Sequence, residues 1–461
     1  MIKKVMATAI VWCAVVAMCS LYAQQQKASS LGNVWAKVRE NYVGISVKRE
    51  AADAARIHER AVRSNRLPQV KAQAQNTYGT YNGSAGSFFQ LAGLFNVSGT
   101  ANPLDGSSIA ASSFGSTTVQ WELFSFGKFR SQNKAASSLT DKSVIEKDAY
   151  LLSLKKNLSE RYIALLYNIA KLDWVTKNAQ RLNNIRTITS GLVIAGIRPS
   201  ADSLLAASSY LQAMGEHDKW DGFKEAAYIK LLELYGDDSI DYGASEKRFI
   251  NPPKNNIYEE NSIKPGHPVL KVLDKQTNYY TYSAEAQTRA SLPSLSLLGG
   301  YGFRGTGINS NGGVSGAWKD GFNNAANNFL AGIGITWNIT NLHTDQLKGR
   351  ELKKEAESTR LLHEQYQQAM QADLAASKVK IKQQYQQLRK TRLAVNQSKN
   401  AYNMYLARYK SGLISLSELL QIRIMLEKAE DAQIEASREY WAVLVSQASL
   451  TADFEFLFNN L

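Results

Sequence analysis

Cysteine is almost missing from this chain of 461 residues, and the two present, Cys13 and Cys19, both sit close to its start. Beyond them no disulfide and no thiolate metal site can form, which suits an exported protein that needs neither. Proline is scarce too, with eight in all and none from Lys128 to Ala195 or from Thr344 to Ser411. Nothing in those two stretches breaks a helix. No later segment has the run of ~20 apolar residues that a membrane-spanning helix needs, so any insertion into a bilayer falls to β-strands.

Sites for catalysis are missing as well. The five histidines, His58, His217, His267, His343 and His363, never stand at metal-ligand spacing from another His or Cys. Gly300-Tyr301-Gly302 and Gly305-Thr306-Gly307 lie in or beside a strand pattern and open no helix, which argues against phosphate binding. There is no nucleophile elbow and no pair of carboxylates with a supporting pattern, so the chain does not read as an enzyme and calls for no cofactor or metal. The formal net charge is +14, yet the basic residues lie along long helical stretches among acids. That is a solvated helix surface rather than a nucleic-acid footprint.

What is present begins with a leader. Met1-Ile2-Lys3-Lys4 is a charged start, Val5 to Met18 is apolar, and Leu21-Tyr22-Ala23 offers a small residue at a cleavage position. Residues 1–23 are therefore expected to be a secretory signal. Lipidation at Cys19 is the alternative, for which Met18 is a poor neighbour.

The rest is written twice. Leu67-Pro68, Val119-Gln120-Trp121-Glu122-Leu123 and Gly196 followed six residues later by Asp202 are echoed by Leu292-Pro293, Ile335-Thr336-Trp337-Asn338-Ile339 and Gly412 followed six residues later by Glu418. The offset is about 225 residues at the prolines and about 216 at both later landmarks, as when one intervening loop changes length. The first repeat spans 24–236, with strands at about 68–82 and 116–127 and long helices at about 128–195 and 200–235. The second spans 269–461, with strands at about 293–305 and 329–340 and helices at about 344–411 and 415–457. Shorter helices, about Leu31 to Arg66 and Val269 to Ser291, precede the first strand of each. Residues 237–268, with Pro252-Pro253, read as an irregular equatorial connector.

All four strands alternate with a period of two. Val70, Ala72 and Ala74 alternate with Gln69, Lys71, Gln73 and Gln75, and Val119, Trp121 and Leu123 alternate with Gln120 and Glu122. In the second repeat Leu295, Leu297, Tyr301 and Phe303 alternate with Ser294, Ser296 and Gly302, and Ile333, Ile335, Trp337 and Ile339 with Gly334, Thr336 and Asn338. Rings gather at strand ends and flanks (Tyr78, Tyr81, Phe88, Phe89, Phe124, Phe126, Phe329 and Trp337), as in the girdles of an outer-membrane barrel. A half-buried soluble sheet would also alternate. In a membrane, four strands alone would leave two open edges that hydrocarbon does not tolerate, so a barrel must close with other copies of the chain. Three copies give twelve strands and a lumen, whereas two give a barrel filled by its own side chains.

Each long helical stretch would run about 100 Å as a continuous helix and needs partners along its length. Leu158, Tyr162, Leu165, Ile169 and Leu172 form a heptad-like seam. Leu416, Leu419, Leu420, Ile424 and Leu426 stripe a return helix. The Gln-rich face around Gln365 and Gln383 is a wide polar surface, as a water-filled helical tube would require.

The duplicated helix-strand-strand-helix order, the Leu-Pro pairs that open the first strand of each copy, and Arg408-Tyr409-Lys410-Ser411-Gly412 before Leu416-Ser417-Glu418-Leu419-Leu420 resemble the TolC family of outer-membrane efflux proteins, over essentially the whole chain after the leader. The resemblance implies a mainly α protein with membrane β structure: a homotrimer whose twelve-stranded β-barrel in the outer membrane continues as a long α-helical barrel across the periplasm. It implies a passive channel docked on a periplasmic adaptor and an inner-membrane pump, while the alternation itself makes Trp121 and Trp337 the expected membrane-facing aromatics. The turns at Gly196 and Gly412 match the adaptor-docking tip. Glu418 and its pseudo-equivalent Asp202 match a carboxylate ring at the constriction, Gln421 stands where the family has a second carboxylate, and Tyr409 matches a gate tyrosine whose associated arginine position holds Ile414. Two readings of Glu418 stay open, a ring around a narrow axis and a negative side chain favouring a helix N-terminus. Type I protein secretion uses the same kind of channel, and a structural envelope stalk is the reading from another class.

Overall fold

The computed structural model describes residues 31–80, 109–236, 240, 242–253 and 263–461. The expected leader with Cys13 and Cys19, the aromatics Tyr81, Phe88 and Phe89, and part of the connector lie outside the described residues. In chain order the elements are α1 (Leu31–Asn41), α2 (Val43–Ser64), β1 (Gln69–Thr80), β2 (Ile109–Phe124), α3 (Lys128–Ile194), α4 (Ser200–Tyr235) and α5 (Gly243–Ile250). There follow α6 (Pro268–Ala290), β3 (Ser294–Thr306), a 3-10 turn (Trp318–Phe322), β4 (Ala326–Thr336), α7 (Asn341–Lys410), α8 (Leu416–Thr451) and α9 (Glu455–Asn460). The contacts divide the chain into a sheet unit, Ala52–Lys142 with Leu273–Leu361, and a helical unit, Met1–Ala51 with Ser143–Val272 and Leu362–Leu461.

In the sheet unit the four strands pair antiparallel in the order β1-β2-β3-β4. The register sets Val70 opposite Val119, Trp121 opposite Leu297, and Tyr301 opposite Phe329. Period two then gathers Val70, Val119, Trp121, Leu297, Tyr301, Phe329, Ile333 and Ile335 on one face. Gln73, Gln75, Ser116, Gln120, Arg304, Asn328 and Thr336 share the other, where Phe114, Leu298 and Leu330 are large apolar members. Among the described residues the outer edges of β1 and β4 pair with no strand.

Two strand boundaries differ from the sequence expectation. β2 starts at Ile109 rather than about 116, because Ala110, Ala111, Ser112 and Ser113 carry no alternation of polarity yet pair fully with β1. β4 covers 326–336 rather than 329–340. It stops because Trp337 turns its indole to the Ser291 carbonyl at 3.0 Å, while Asn338 accepts the amide of Asn341 at 3.2 Å and so starts α7 early. Between β2 and α3 the chain turns at Phe126 and Gly127, whose φ values are 48° and 89°.

In the helical unit Leu158, Tyr162, Leu165 and Ile169 are buried as the seam anticipates, but at its end Ala170 and Lys171 are buried while Leu172 is only half-buried. The connector is not wholly irregular. Its α5 buries Phe249, whose carbonyl accepts from the Trp441 indole at 3.0 Å, and Ser245 accepts from the Tyr162 hydroxyl at 2.8 Å. The last return helix does not run unbroken to Leu457: Ala452 adopts φ 55° and ends α8, and α9 turns Leu457 into the core. The first helix is likewise split at Tyr42, whose hydroxyl reaches Glu233 at 3.3 Å. Among the described residues no helix is long and apolar enough to cross a membrane.

Candidate functional site

The two glycine turns of the helical unit fold alike. Gly196 and Gly412 take the left-handed conformation at φ 72° and 74°. The residue after each donates back across the turn, Ile197 to the Leu192 carbonyl at 2.9 Å and Leu413 to that of Arg408 at 3.0 Å. This is the Schellman ending, in which glycine supplies a backbone that other residues adopt only with strain. Its repetition, 216 residues apart in the sequence, makes the turns a duplicated element. Ile194, Ile197 and Leu413 stand exposed on them.

Side chains join the turns. Arg198, beside Gly196, donates to the carbonyls of Ile414 and Gly412 and lies over the Tyr409 ring, 5.3 Å from its centroid. Tyr409 is fully buried, and its hydroxyl shares a hydrogen bond of 2.9 Å with Thr189. The tyrosine expected at a gate is thus packed inside the chain with Ile185, Tyr402, Ile414, Leu416 and Leu419. Its arginine comes from the other repeat, a contact that no local pattern reveals.

Glu418 closes a capping box at the start of α8. Its carboxylate accepts from the Ser415 amide at 2.7 Å and hydroxyl at 2.9 Å, and its own amide donates to the Ser415 hydroxyl at 3.2 Å. These bonds, the backbone one first, favour the charged form and hold its carboxyl below the usual range. Asp202 is half-buried in the first turn of α4, which has no side-chain cap, and Gln421 is exposed. Among the described residues no hydrogen bond or ion pair joins Asp202 to Glu418.

Further along the same helices runs a polar ladder that the periodicity does not disclose. Lys171, with 5% of its side chain exposed, pairs with Asp431 and with Glu435 at 3.0 Å, and the rings of Tyr167, Trp174 and Trp220 surround it. Burial lowers its proton affinity, but the two carboxylates more than offset that. Asn178 donates to Glu427 at 3.0 Å and Arg181 to Glu430 at 2.9 Å. Such a ladder fixes which residues of α3 and α8 face each other.

In the sheet unit Trp121 and Trp337 perform one task twice. The indole of Trp121 donates to the Arg66 carbonyl at 2.8 Å, as that of Trp337 does to Ser291. Each acceptor immediately precedes a Leu-Pro pair, so each strand is pinned where it begins.

Over residues 262–451 the sequence matches the family described as outer membrane efflux protein. No curated protein matches the chain in sequence. Solved structures resemble it in fold. The Campylobacter jejuni CmeC outer membrane channel is 16% identical with a TM-score of 0.73 over 91% of this chain and 85% of its own. The Vibrio cholerae outer membrane protein VceC is 15% identical with 0.72 over 92% and 97%, and the outer-membrane channel OprN is 18% identical with 0.70 over 91% and 89%. At these identities the likeness is one of fold. The family and these neighbours are outer-membrane proteins and channels rather than enzymes, and the resemblance drawn from the Leu-Pro pairs and the turn residues stands.

Proposed function

We propose that this outer membrane efflux protein is a passive conduit, closed from three copies, that carries substrates out of the periplasm. The observation that carries the reading is the open-edged sheet. With four antiparallel strands, β1 and β4 run in opposite directions, so β4 of one copy can pair with β1 of the next and close a twelve-stranded ring with no edge left in hydrocarbon. Its apolar face then meets outer-membrane lipid, and its Gln, Ser and Thr face lines a lumen. The long helices reach into the periplasm, and the exposed apolar residues of the Gly196 and Gly412 turns form the tip that meets an adaptor protein and, through it, an inner-membrane pump. Constriction falls at the same tip, with Glu418 and Asp202 as its acidic groups, Gln421 beside them, and Tyr409 bracing the turn from within. One similar structure is described as the open state of the Neisseria gonorrhoeae MtrE channel, which fits a gated conduit.

Purified protein in a planar bilayer tests this. Discrete conductance steps are expected from material whose mass in mild detergent is that of three chains. A folded monomer, or a trimer that inserts without conducting, would overturn it.

A further inference from the structure

The segment between β3 and β4 does something the barrel reading alone does not require. After Thr306 the Gly307 amide donates to the Ala111 carbonyl at 2.9 Å, and the Ser315 amide returns to the Gly307 carbonyl at 2.9 Å. The Tyr78 hydroxyl donates to the Gly316 carbonyl at 2.8 Å. Asp320 is held by Ser315 and by Asn323, stapling the 3-10 turn Trp318–Phe322. That turn lies hard against the strands: a Cβ on Gly321 would come 2.9 Å from that of Ala111, and one on Gly305 would come 2.6 Å from the Gly321 carbonyl. Ala111 pairs with Tyr78 and, by period two, shares the face of Val119 and Trp121. The segment therefore folds onto the apolar side of the sheet, not the polar one.

Its exposed surface is unusual for a loop of Gly, Ser and Asn. Trp318 and Phe322 meet edge to face at 6.0 Å, with 59% and 51% of their surface exposed, and Lys319 is exposed on the same turn. Depth gives this surface a meaning. Along β2, Ala111 is ten residues from Trp121, roughly 33 Å of strand at the usual rise. At a barrel tilt of about 35–45° this is about 25 Å of height, the spacing between the two aromatic girdles of outer-membrane barrels.

We propose that the Trp318–Phe322 turn is a lipid anchor seated in the interfacial zone of the outer leaflet, its two rings toward the acyl boundary and Lys319 toward lipid phosphate. Trp121 and Trp337 supply the opposite girdle. The proposal rests on the outer-membrane barrel reading and adds to it a bilayer contact made by a loop rather than a strand.

The test places nitroxides at Trp318→Cys, Lys319→Cys and Phe322→Cys, with Ile333→Cys and Asn311→Cys as references and the unsubstituted chain as the labelling blank. The assembled protein is reconstituted into vesicles of phosphatidylethanolamine and phosphatidylglycerol, and collisions with oxygen and with a water-soluble nickel chelate are compared. Labels at 318 and 322 should read between the lipid-buried Ile333 site and the aqueous Asn311 site, with 319 nearer water. If 318 and 322 match Asn311 while Ile333 reads lipid, the anchor is wrong and the barrel stands. If Ile333 also reads aqueous, both readings fall. Shielding of 318 and 322 from both colliders would mean a protein contact and would also overturn the anchor. Should Trp318→Cys fail to assemble, the Phe322 and Lys319 sites decide the matter alone.

Discussion

The carboxylate of Glu418 holds two roles in one geometry, because a capping-box glutamate is both bonded at its helix end and kept ionised. The hydrogen bonds from Ser415 hold its carboxyl below the usual carboxylate range, so the charge, and the stability it lends, are fully present above that range and are lost only as the pH falls below it. If three copies bring this group to one axis, the constriction keeps its negative charge under mildly acid conditions. Glu418→Gln is expected to lower cation selectivity and weaken block by divalent cations added from the periplasmic side, and wild-type selectivity should persist down to the ordinary carboxylate range. Ser415→Ala is the informative control: it loses the cap at about 1 kcal/mol yet leaves the charge, so it should lower thermal stability and spare selectivity. Selectivity unchanged in Glu418→Gln would leave the residue a helix cap and nothing more.

Elements show where a sequence speaks and where it falls silent. Absence of proline and a heptad-like seam disclose α3 and α7, and paired glycines disclose both turns. A Cβ on Gly196 or Gly412 would meet open space, so substitution by Ala should cost only backbone strain, about 1–2 kcal/mol each, read as a lowered melting temperature. Gly321→Ala should cost more than either, since its Cβ would meet Ala111. What stayed hidden was set by contacts distant in sequence. The start of β2 is small residues that extend only because β1 lies alongside. The break at Ala452 has neither glycine nor proline to announce it, and α5 hides in a polar connector until its Phe249 finds Trp441. Lys171 could sit in an apolar seam because Asp431 and Glu435 wait on α8, and Arg198 reaches a turn that belongs to the other repeat. Replacing Lys171 by Met would strand two carboxylates and should destabilise by about 1.5–3 kcal/mol, read as a lowered melting temperature.

For the whole molecule, the sheet can tell lipid from lumen only if its two faces keep their sides when copies assemble. Ile333 and Ile335 lie on the apolar face, 70% and 76% exposed in the single chain, and Thr336 lies on the other. Ile335 is two residues from Trp337 and so near one girdle, whereas Ile333 is nearer the middle of the apolar band. Arginine at Ile333 should therefore cost about 2–4 kcal/mol per copy and at Ile335 about 0–1 kcal/mol, while Thr336→Arg should fold normally and alter conductance instead. Because each closed ring holds three such sites, Ile333→Arg should abolish assembly, seen as loss of the trimer from the membrane fraction, before Ile335→Arg does. Equal insertion of Ile333→Arg and Thr336→Arg would mean that neither face meets lipid. The open edges of β1 and β4 would then need a partner other than a second and third copy of this chain.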